Sequence, residues 1–180
     1  MRFSELPLSA AVLVEIEPHT DERGLFARSF CEAEFAAAGL PVSWPQMNTS
    51  FNKIAGTVRG MHYQLEPFEE PKLVRCTQGR VHDVIVDLRP GSATYCRHVG
   101  VDLSAQNRNA LYVPPGFAHG FQTLEDNSEL LYLMGTSYVA EAQAGARWDD
   151  PALDIQWPLP ISSIAERDAG YPDYVADRER

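Results

Sequence analysis

The chain has 180 residues, of which 44% are hydrophobic and 22% charged, and these proportions are ordinary for one globular domain covering residues 1–180. Its formal net charge of −10 argues against general binding of nucleic acids, which attract basic surfaces. The sequence contains no run of about 18 apolar residues and no signal-peptide pattern, and its three cysteines form no CxxC pair, so we expect a cytoplasmic protein with reduced thiols and no membrane span.

The amino-terminal part of the chain mixes short strands with one helix. Residues 10–17 are typical of a strand, residues 19–24 of a turn, and residues 25–30 of a second short strand. Ser29 and Glu32 have the spacing of a capping box and Gly39 fits a helix stop, so a short helix is predicted between them. Residues 46–51 then have an extended pattern.

From residue 72 onward the pattern is almost entirely that of strands. In residues 81–88 the side chains alternate, which places Val81, Asp83, Ile85 and Asp87 on one face. Further strands are predicted over residues 72–76, 98–103, 110–113, 119–124 and 129–134. Turns that recur roughly every 8–12 residues indicate an all-β sandwich or barrel. Near the end, Ser163 and Glu166 resemble a second capping box and predict another short helix.

The stretch from Gly56 to Lys72 concentrates residues suited to chemistry on an anion. It contains one histidine, His62, with Arg59 three positions before it and Lys72 ten positions after it. An imidazole exchanges protons near neutral pH, so His62 is a candidate general base. Such a base needs a partner that fixes its tautomer, and four aspartates remain candidates on sequence grounds: Asp83, Asp87, Asp149 and Asp168.

Two histidine motifs point to a jelly roll. Five residues separate Gly56 from His62, and Pro-x-Gly-x-x-His ends at His119; both are similar to the two motifs of the cupin fold. A metal-binding cupin has a second histidine two positions after the first, and Gln64 occupies that position here. Because zinc and iron sites usually need three good ligands, we expect no metal.

Several longer motifs, in order, resemble one family, the dTDP-4-dehydrorhamnose 3,5-epimerases and related nucleotide-sugar epimerases. They are Asp-Glu-Arg-Gly at 21–24, Gln-x-Asn at 46–48, Arg-Gly-Met-His-Tyr-Gln at 59–64, Lys-Leu-Val at 72–74, Gly-Phe-Ala-His-Gly-Phe at 116–121 and Arg-Trp-Asp-Asp-Pro at 147–151. The resemblance implies an all-β, cupin-like jelly roll with a few short helices. It also implies a homodimer that uses neither metal nor cofactor.

The resemblance implies a mechanism on a nucleoside-diphosphate 4-keto-6-deoxyhexose. The C4 ketone makes the protons at C3 and C5 acidic. His62, oriented by Asp168, would remove them, and Lys72 would stabilise the enolate oxygen. Tyr132 would return a proton from the opposite face, which inverts the carbon.

The resemblance also implies a set of substrate-binding residues. The diphosphate or sugar would meet Arg59 and His119, Tyr138 would stack on the base, and the nucleotide would be held by Arg23, Gln46 and Asn48. Four positions depart from the family pattern, which commonly has Phe, Glu, Glu and Lys where this chain has His19, Arg28, Gln143 and Arg167.

The sequence leaves several readings open. An arginine at position 28 cannot accept a hydrogen bond from N3–H of thymine, which raises the alternative of a CDP-linked sugar. A C3-only epimerase or a keto-isomerase would use the same catalytic residues. Alternatives of other classes are a non-catalytic sugar-binding cupin and a metal-dependent oxygenase.

Overall fold

The computed structural model describes residues 1–175. Within that range the chain forms thirteen β-strands and two short α-helices, in agreement with the all-β prediction. The strands are Arg2–Glu5 (β1), Val12–Glu15 (β2), His19–Asp21 (β3), Gly24–Phe26 (β4), Gln46–Asn52 (β5), Val58–Gln64 (β6), Lys72–Gln78 (β7), Arg80–Asp87 (β8), His98–Ser104 (β9), Ala110–Val113 (β10), Phe117–Thr123 (β11), Ser128–Met134 (β12) and Gln143–Gly145 (β13). The helices are Glu32–Ala37 (α1) and Glu166–Ala169 (α2).

Eleven of these strands build two sheets that pack face to face. The six-stranded sheet has the order β1-β2-β10-β7-β12-β5, and the five-stranded sheet has the order β13-β6-β11-β8-β9. Neighbouring strands are mostly distant in sequence, and every pair of these strands is antiparallel. This is the wrapped topology of a jelly roll. Strands β3 and β4 form a separate hairpin.

The main core lies between the two sheets. Val81 and Ile85 of β8 meet Val74 of β7 and Leu130 of β12 there, so the predicted face of β8 is turned inward. The other face of β8 is also buried, because the carboxy-terminal segment packs against it through Leu153 and neighbouring residues. The apolar residues Val84 and Val86 of β8 are buried on this second face.

Both predicted capping boxes are wrong. Helix α1 begins at Glu32 with Cys31 as its N-cap, and α2 begins at Glu166 with Ala165 as its N-cap; neither has a side-chain cap hydrogen bond. Ser163 instead forms a β-bridge with Thr57. The prediction that Gly39 ends helix α1 is confirmed. Gly39 has a φ of +71°, and the chain closes with the hydrogen bonds of a Schellman motif.

Strand limits differ from the predictions where local geometry intervenes. The first predicted strand starts two residues late, because Ala10 has a φ of +70°. The second covers only Gly24–Phe26, and Phe30 packs against Phe35 with ring centroids 4.8 Å apart. Strands β1, β3 and β13 were not predicted. Strands β3 and β13 have only three residues each, too few to show a periodic pattern. Neither α-helix of the described range has the length or apolar composition needed to cross a bilayer.

Candidate active site

A cavity of about 480 Å³ opens between the two sheets. Side chains from β5, β7 and β12 form one wall and side chains from β6 and β11 form the other, and the segment after β12 closes one end. The lining residues are Gln46, Asn48, Thr49, Ser50, Arg59, His62, Glu70, Lys72, His119, Phe121, Tyr132, Met134, Tyr138 and Gln143. Nine of the thirteen residues predicted from the sequence are in this set.

An irregularity in β6 brings Arg59 and His62 to the same wall. Residues three apart in a regular strand point to opposite faces. Here His62 is paired with His119 and Arg59 with Phe121, so three steps along β6 match two steps along β11. The extra residue is a β-bulge, which redirects the side chains. Arg59 is held by a hydrogen bond from its Nε to Asn52 Oδ1, at 2.7 Å.

His62 is paired with Asp168, which the sequence left as one of four candidates. His62 Nε2 lies 2.8 Å from Asp168 Oδ1, and Asp168 Oδ2 accepts the backbone N–H of Gly60 at 3.1 Å. Burial would raise the pKa of the Asp168 carboxyl, but hydrogen bonds from His62, the Gly60 N–H and Arg167 lower it below its usual value. The ionised carboxylate therefore accepts N–H from Nε2 and leaves the ring lone pair on Nδ1.

The other three aspartates have different partners. Asp83 Oδ1 lies 2.8 Å from His119 Nε2. Asp87 accepts hydrogen bonds from the turn that follows β8, and Asp149 pairs with Arg147. His119 is almost fully buried beside Asp83, so only part of its ring borders the cavity.

Lys72 and Glu70 form an ion pair in the cavity wall. Lys72 Nζ lies 3.1 Å from Glu70 Oε1, and the two side chains are only 5% and 9% exposed. The Lys72 ammonium is also 3.5 Å from the carbonyl oxygen of His62. The predicted cation therefore faces the cavity beside the predicted base.

Tyr132 approaches from the opposite sheet. Its ring lies edge-on to that of His119, with centroids 5.8 Å apart. Burial, followed by the nearby Asp83 carboxylate, raises the pKa of Tyr132 well above its usual value. The phenol is therefore protonated at neutral pH.

One end of the cavity is formed by polar side chains around Tyr138. The hydroxyl of Tyr138 donates to Gln143 Oε1 at 2.8 Å, and the backbone N–H of Tyr138 donates to Gln46. The ring of Tyr138 is half exposed, and Asn48 lies on the same wall as Gln46. This end combines an accessible aromatic face with amide groups, which suits a nucleobase.

Four predicted residues do not line the cavity. Asp168 lies behind His62, and Arg167 sits next to this pair, with Nη2 3.2 Å from His62 Nε2. Arg23 pairs with Asp21 at the exposed tip of the β3–β4 hairpin. Arg28 pairs with Glu34, at 3.0 Å.

Sequence reasoning missed five lining residues, and strand alternation could have found most of them. Ser50 follows Gln46 and Asn48 on one face of β5, and Met134 and Phe121 follow Tyr132 and His119 at the same two-residue spacing. The remaining two are Thr49 and Glu70.

The position that a metal-binding cupin fills with histidine has a structural use here. The Gln64 amide donates to the carbonyl of Phe68 at 2.8 Å and accepts the backbone N–H of Val139 at 2.7 Å. It thereby ties two loops to β6. Residues 1–175 contain no cluster of three or more His, Cys, Asp or Glu side chains placed to hold a metal ion.

The chain is similar to proteins that share one description. A sequence profile described as "dTDP-4-dehydrorhamnose 3,5-epimerase" matches residues 5–175. A protein of that name from Sinorhizobium fredii is 42% identical over 173 residues, which cover 96% of this chain and 89% of the relative. The crystal structure of the Bacillus anthracis enzyme of that name, with TDP and PPi bound, superposes with a TM-score of 0.91 at 37% identity, covering 96% of this chain and 99% of the other.

A second solved structure has a different described activity. It is a 3'-monoepimerase from Streptomyces bikiniensis in complex with dTDP-quinovose, with a TM-score of 0.86 at 31% identity, covering 93% of this chain and 85% of the other. The profile match and the Sinorhizobium relative confirm the resemblance predicted from the motifs, and the superposition confirms the jelly roll. The chain belongs to the dTDP-4-dehydrorhamnose 3,5-epimerase family.

Proposed function

We propose that this protein is an isomerase that inverts C3 and C5 of a dTDP-linked 4-keto-6-deoxyhexose, using neither metal nor cofactor. The observation that carries the proposal is the convergence of His62, Lys72 and Tyr132 on one cavity, with Asp168 behind His62. The proposed activity is the one for which the Sinorhizobium relative is named.

His62 is the proposed base. The C4 ketone acidifies the adjacent C–H bonds, and the ring lone pair of neutral His62 removes one proton. The Asp168 carboxylate holds the tautomer and stabilises the imidazolium that results. A positioned base of this kind contributes roughly 10²–10⁴-fold to the rate.

Lys72 is the proposed electrophile. As the proton leaves, negative charge develops on the C4 oxygen, and an ammonium fixed in a buried wall stabilises that charge. The Lys72 side chain adjoins the base, so one sugar ring is able to meet both groups.

Tyr132 is the proposed acid. His62 belongs to the five-stranded sheet and Tyr132 to the six-stranded sheet, so a sugar between them meets the base on one face and the acid on the other. Tyr132 delivers its phenolic proton to the carbanion carbon and is reprotonated from solvent, while His62 releases the abstracted proton. Each inversion therefore exchanges one carbon-bound hydrogen for a solvent hydrogen.

Substrate binding is assigned to the polar residues around this centre. Arg59, with Arg167 beside His62, supplies positive charge for the diphosphate. His119 borders the sugar. The base is assigned to the end of the cavity formed by Gln46, Asn48, Tyr138 and Gln143.

We also propose a homodimer in the cytoplasm. Leu25 and Phe26 of the β3–β4 hairpin are 42% and 77% exposed, and burial against a second copy would remove this apolar surface from water. Arg23 and Arg28 lie near this hairpin and outside the cavity of their own chain. In the proposed dimer they would reach the nucleotide bound to the other copy.

Inversion at C3 alone is the second candidate function. The observation that favours it is the similarity to the Streptomyces bikiniensis 3'-monoepimerase. The same base, electrophile and acid serve both reactions, because C3 and C5 flank the same ketone.

One experiment tests both candidates. The purified protein is incubated with dTDP-4-keto-6-deoxyglucose in heavy water and followed by NMR. Deuterium at both C3 and C5 supports the 3,5-epimerase, deuterium at C3 alone supports the second candidate, and no exchange refutes both. A parallel incubation with the CDP-linked sugar tests the nucleotide, and faster exchange there would overturn the dTDP assignment.

A further inference from the structure

We infer that Glu70 is a positioning residue, whose carboxylate holds the Lys72 ammonium so that one N–H of Lys72 is left for the substrate. The inference rests on the proposed function and concerns the same cavity. Glu70 lies in the cavity wall two residues before Lys72.

The contacts of Lys72 account for two of its three donors. Nζ lies 3.1 Å from Glu70 Oε1 and 3.5 Å from the His62 carbonyl oxygen. An ammonium group carries three N–H bonds in tetrahedral directions. With two directions fixed, the third is determined, and it is the one available to a ligand oxygen in the cavity that Lys72 lines.

Burial makes the pairing with Glu70 consequential. The Lys72 side chain is only 5% exposed, so its ammonium group would lose its hydration without compensation if it had no partner. A lysine side chain also has many rotamers, and a single fixed partner selects among them. Glu70 thus provides both a counter-charge and a fixed direction.

The backbone around Glu70 is held at both ends, so its carboxylate is itself well placed. Gln64 Nε2 donates to the carbonyl of Phe68 at 2.8 Å and lies 3.4 Å from Glu70 Oε2. On the other side, the N–H of Gly135 donates to the carbonyl of Pro71 at 2.8 Å. A donor aimed by such a frame needs little reorganisation when charge develops on the substrate.

The test compares three single variants by the initial rate of deuterium exchange at C3. We expect Glu70→Ala to lower kcat at least tenfold with KM changed less than threefold, because a misdirected donor weakens the transition state more than the bound ground state. Glu70→Gln keeps an acceptor for Lys72 but loses the counter-charge, so it should lower kcat less than Glu70→Ala does. Glu69→Ala removes the neighbouring carboxylate, which does not line the cavity, and should leave kcat unchanged.

A double-mutant cycle separates positioning from general support of the wall. If Glu70 acts through Lys72, adding Glu70→Ala to Lys72→Ala should lower kcat no further. The inference is overturned if Glu70→Ala alone has wild-type kcat, or if its full loss persists without Lys72.

One more variant of Glu70 keeps the test decisive if Glu70→Ala does not fold. Glu70→Asp retains the charge but moves the carboxylate by one methylene, and it should lower kcat at least fivefold; unchanged kcat would overturn the inference. Failure of the proposed function itself is distinguishable, because the wild type would then show no exchange at all.

Discussion

Gly120 lies so close to Arg59 that a Cβ added to Gly120 would be 2.8 Å from the Arg59 carbonyl oxygen and 2.6 Å from Met61 Sδ. The same approach is seen from the other strand, since a Cβ on Gly60 would be 2.6 Å from the Cα of Gly120. The two glycines therefore allow β6 and β11 to come together at the bulge that aims Arg59 and His62 into the cavity.

Gly120→Ala should therefore reduce both stability and activity. Crowding against a backbone carbonyl should cost about 1–3 kcal/mol in the free energy of unfolding, measured by urea denaturation. Because relief of the clash shifts β6, the kcat of C3 exchange per folded molecule should also fall. Gly91→Ala is the control, since its added Cβ meets nothing within 4 Å and only the positive φ opposes it. Equal kcat in the two variants would contradict the assigned role of the bulge.

Asp168→Asn should disturb the orientation of His62 without weakening the binding of dTDP. An asparagine amide is able to donate to His62 Nε2, which moves the ring proton to Nδ1 and removes the lone pair from the proposed reacting position. We expect kcat for exchange to fall at least about 10²-fold, and we expect the same for His62→Ala. The affinity for dTDP, measured by calorimetry, should change little. A variant with kcat within threefold of the wild type would refute the dyad.

Tyr132→Phe should uncouple proton removal from inversion. The variant keeps the ring, the base and Lys72, but it lacks the phenolic proton that the opposite sheet supplies. We expect C3–H to exchange with deuterium at a reduced but measurable rate, with the original configuration retained in most of the exchanged sugar. NMR coupling constants distinguish the epimers. Normal inversion in this variant would assign the acid elsewhere.

Asp87 should make stability depend on pH in the acid range. Its burial alone would raise its pKa, but hydrogen bonds from Arg89, Ser92 and Thr94 lower the pKa from 3.8 to about 2. Because the folded-state pKa is lower, the stabilisation is complete above pH 4 and is lost as pH falls toward 2. The linked free energy is about 2 kcal/mol.

Urea denaturation between pH 7 and pH 2 measures this linkage. Asp87→Asn should be less stable than the wild type at pH 7, and the gap should narrow as pH falls below 4. Asp149→Asn is the control, because Asp149 is 46% exposed and the loss of its ion pair with Arg147 should cost at most about 1 kcal/mol. A gap that stays constant down to pH 2 would show that the Asp87 charge is not the cause.

The sequence was sufficient for the parts of the molecule that have a local signal. Alternation in residues 81–88 grouped Val81 and Ile85 on one face, and that face lies in the core. The family resemblance led to His62, Lys72 and Tyr132, which share one cavity. The predictions of helix caps failed because a Ser-x-x-Glu spacing also occurs by chance. Ser163, for example, forms a β-bridge with Thr57 and does not cap a helix.

The remaining features depend on contacts between distant residues. On spacing alone four aspartates were equivalent partners for His62, and only the family resemblance singled out Asp168. The fold places Asp168 2.8 Å from His62, across 106 positions. The bulge that joins Arg59 to His62 is set by pairing with β11, and no pattern within β6 contains it. Glu70 lies two residues before β7, outside any strand pattern, and only the fold shows that it pairs with Lys72.

The distance along the chain between His62 and Asp168 also affects when the site can form during translation. A nascent chain exposes His62 about a hundred residues before the ribosome delivers its aspartate, so the imidazole has no fixed tautomer for most of translation. The proposed proton-transfer site is consequently among the last features to form. A truncated chain that ends before helix α2 would retain most of both sheets and lack an oriented base.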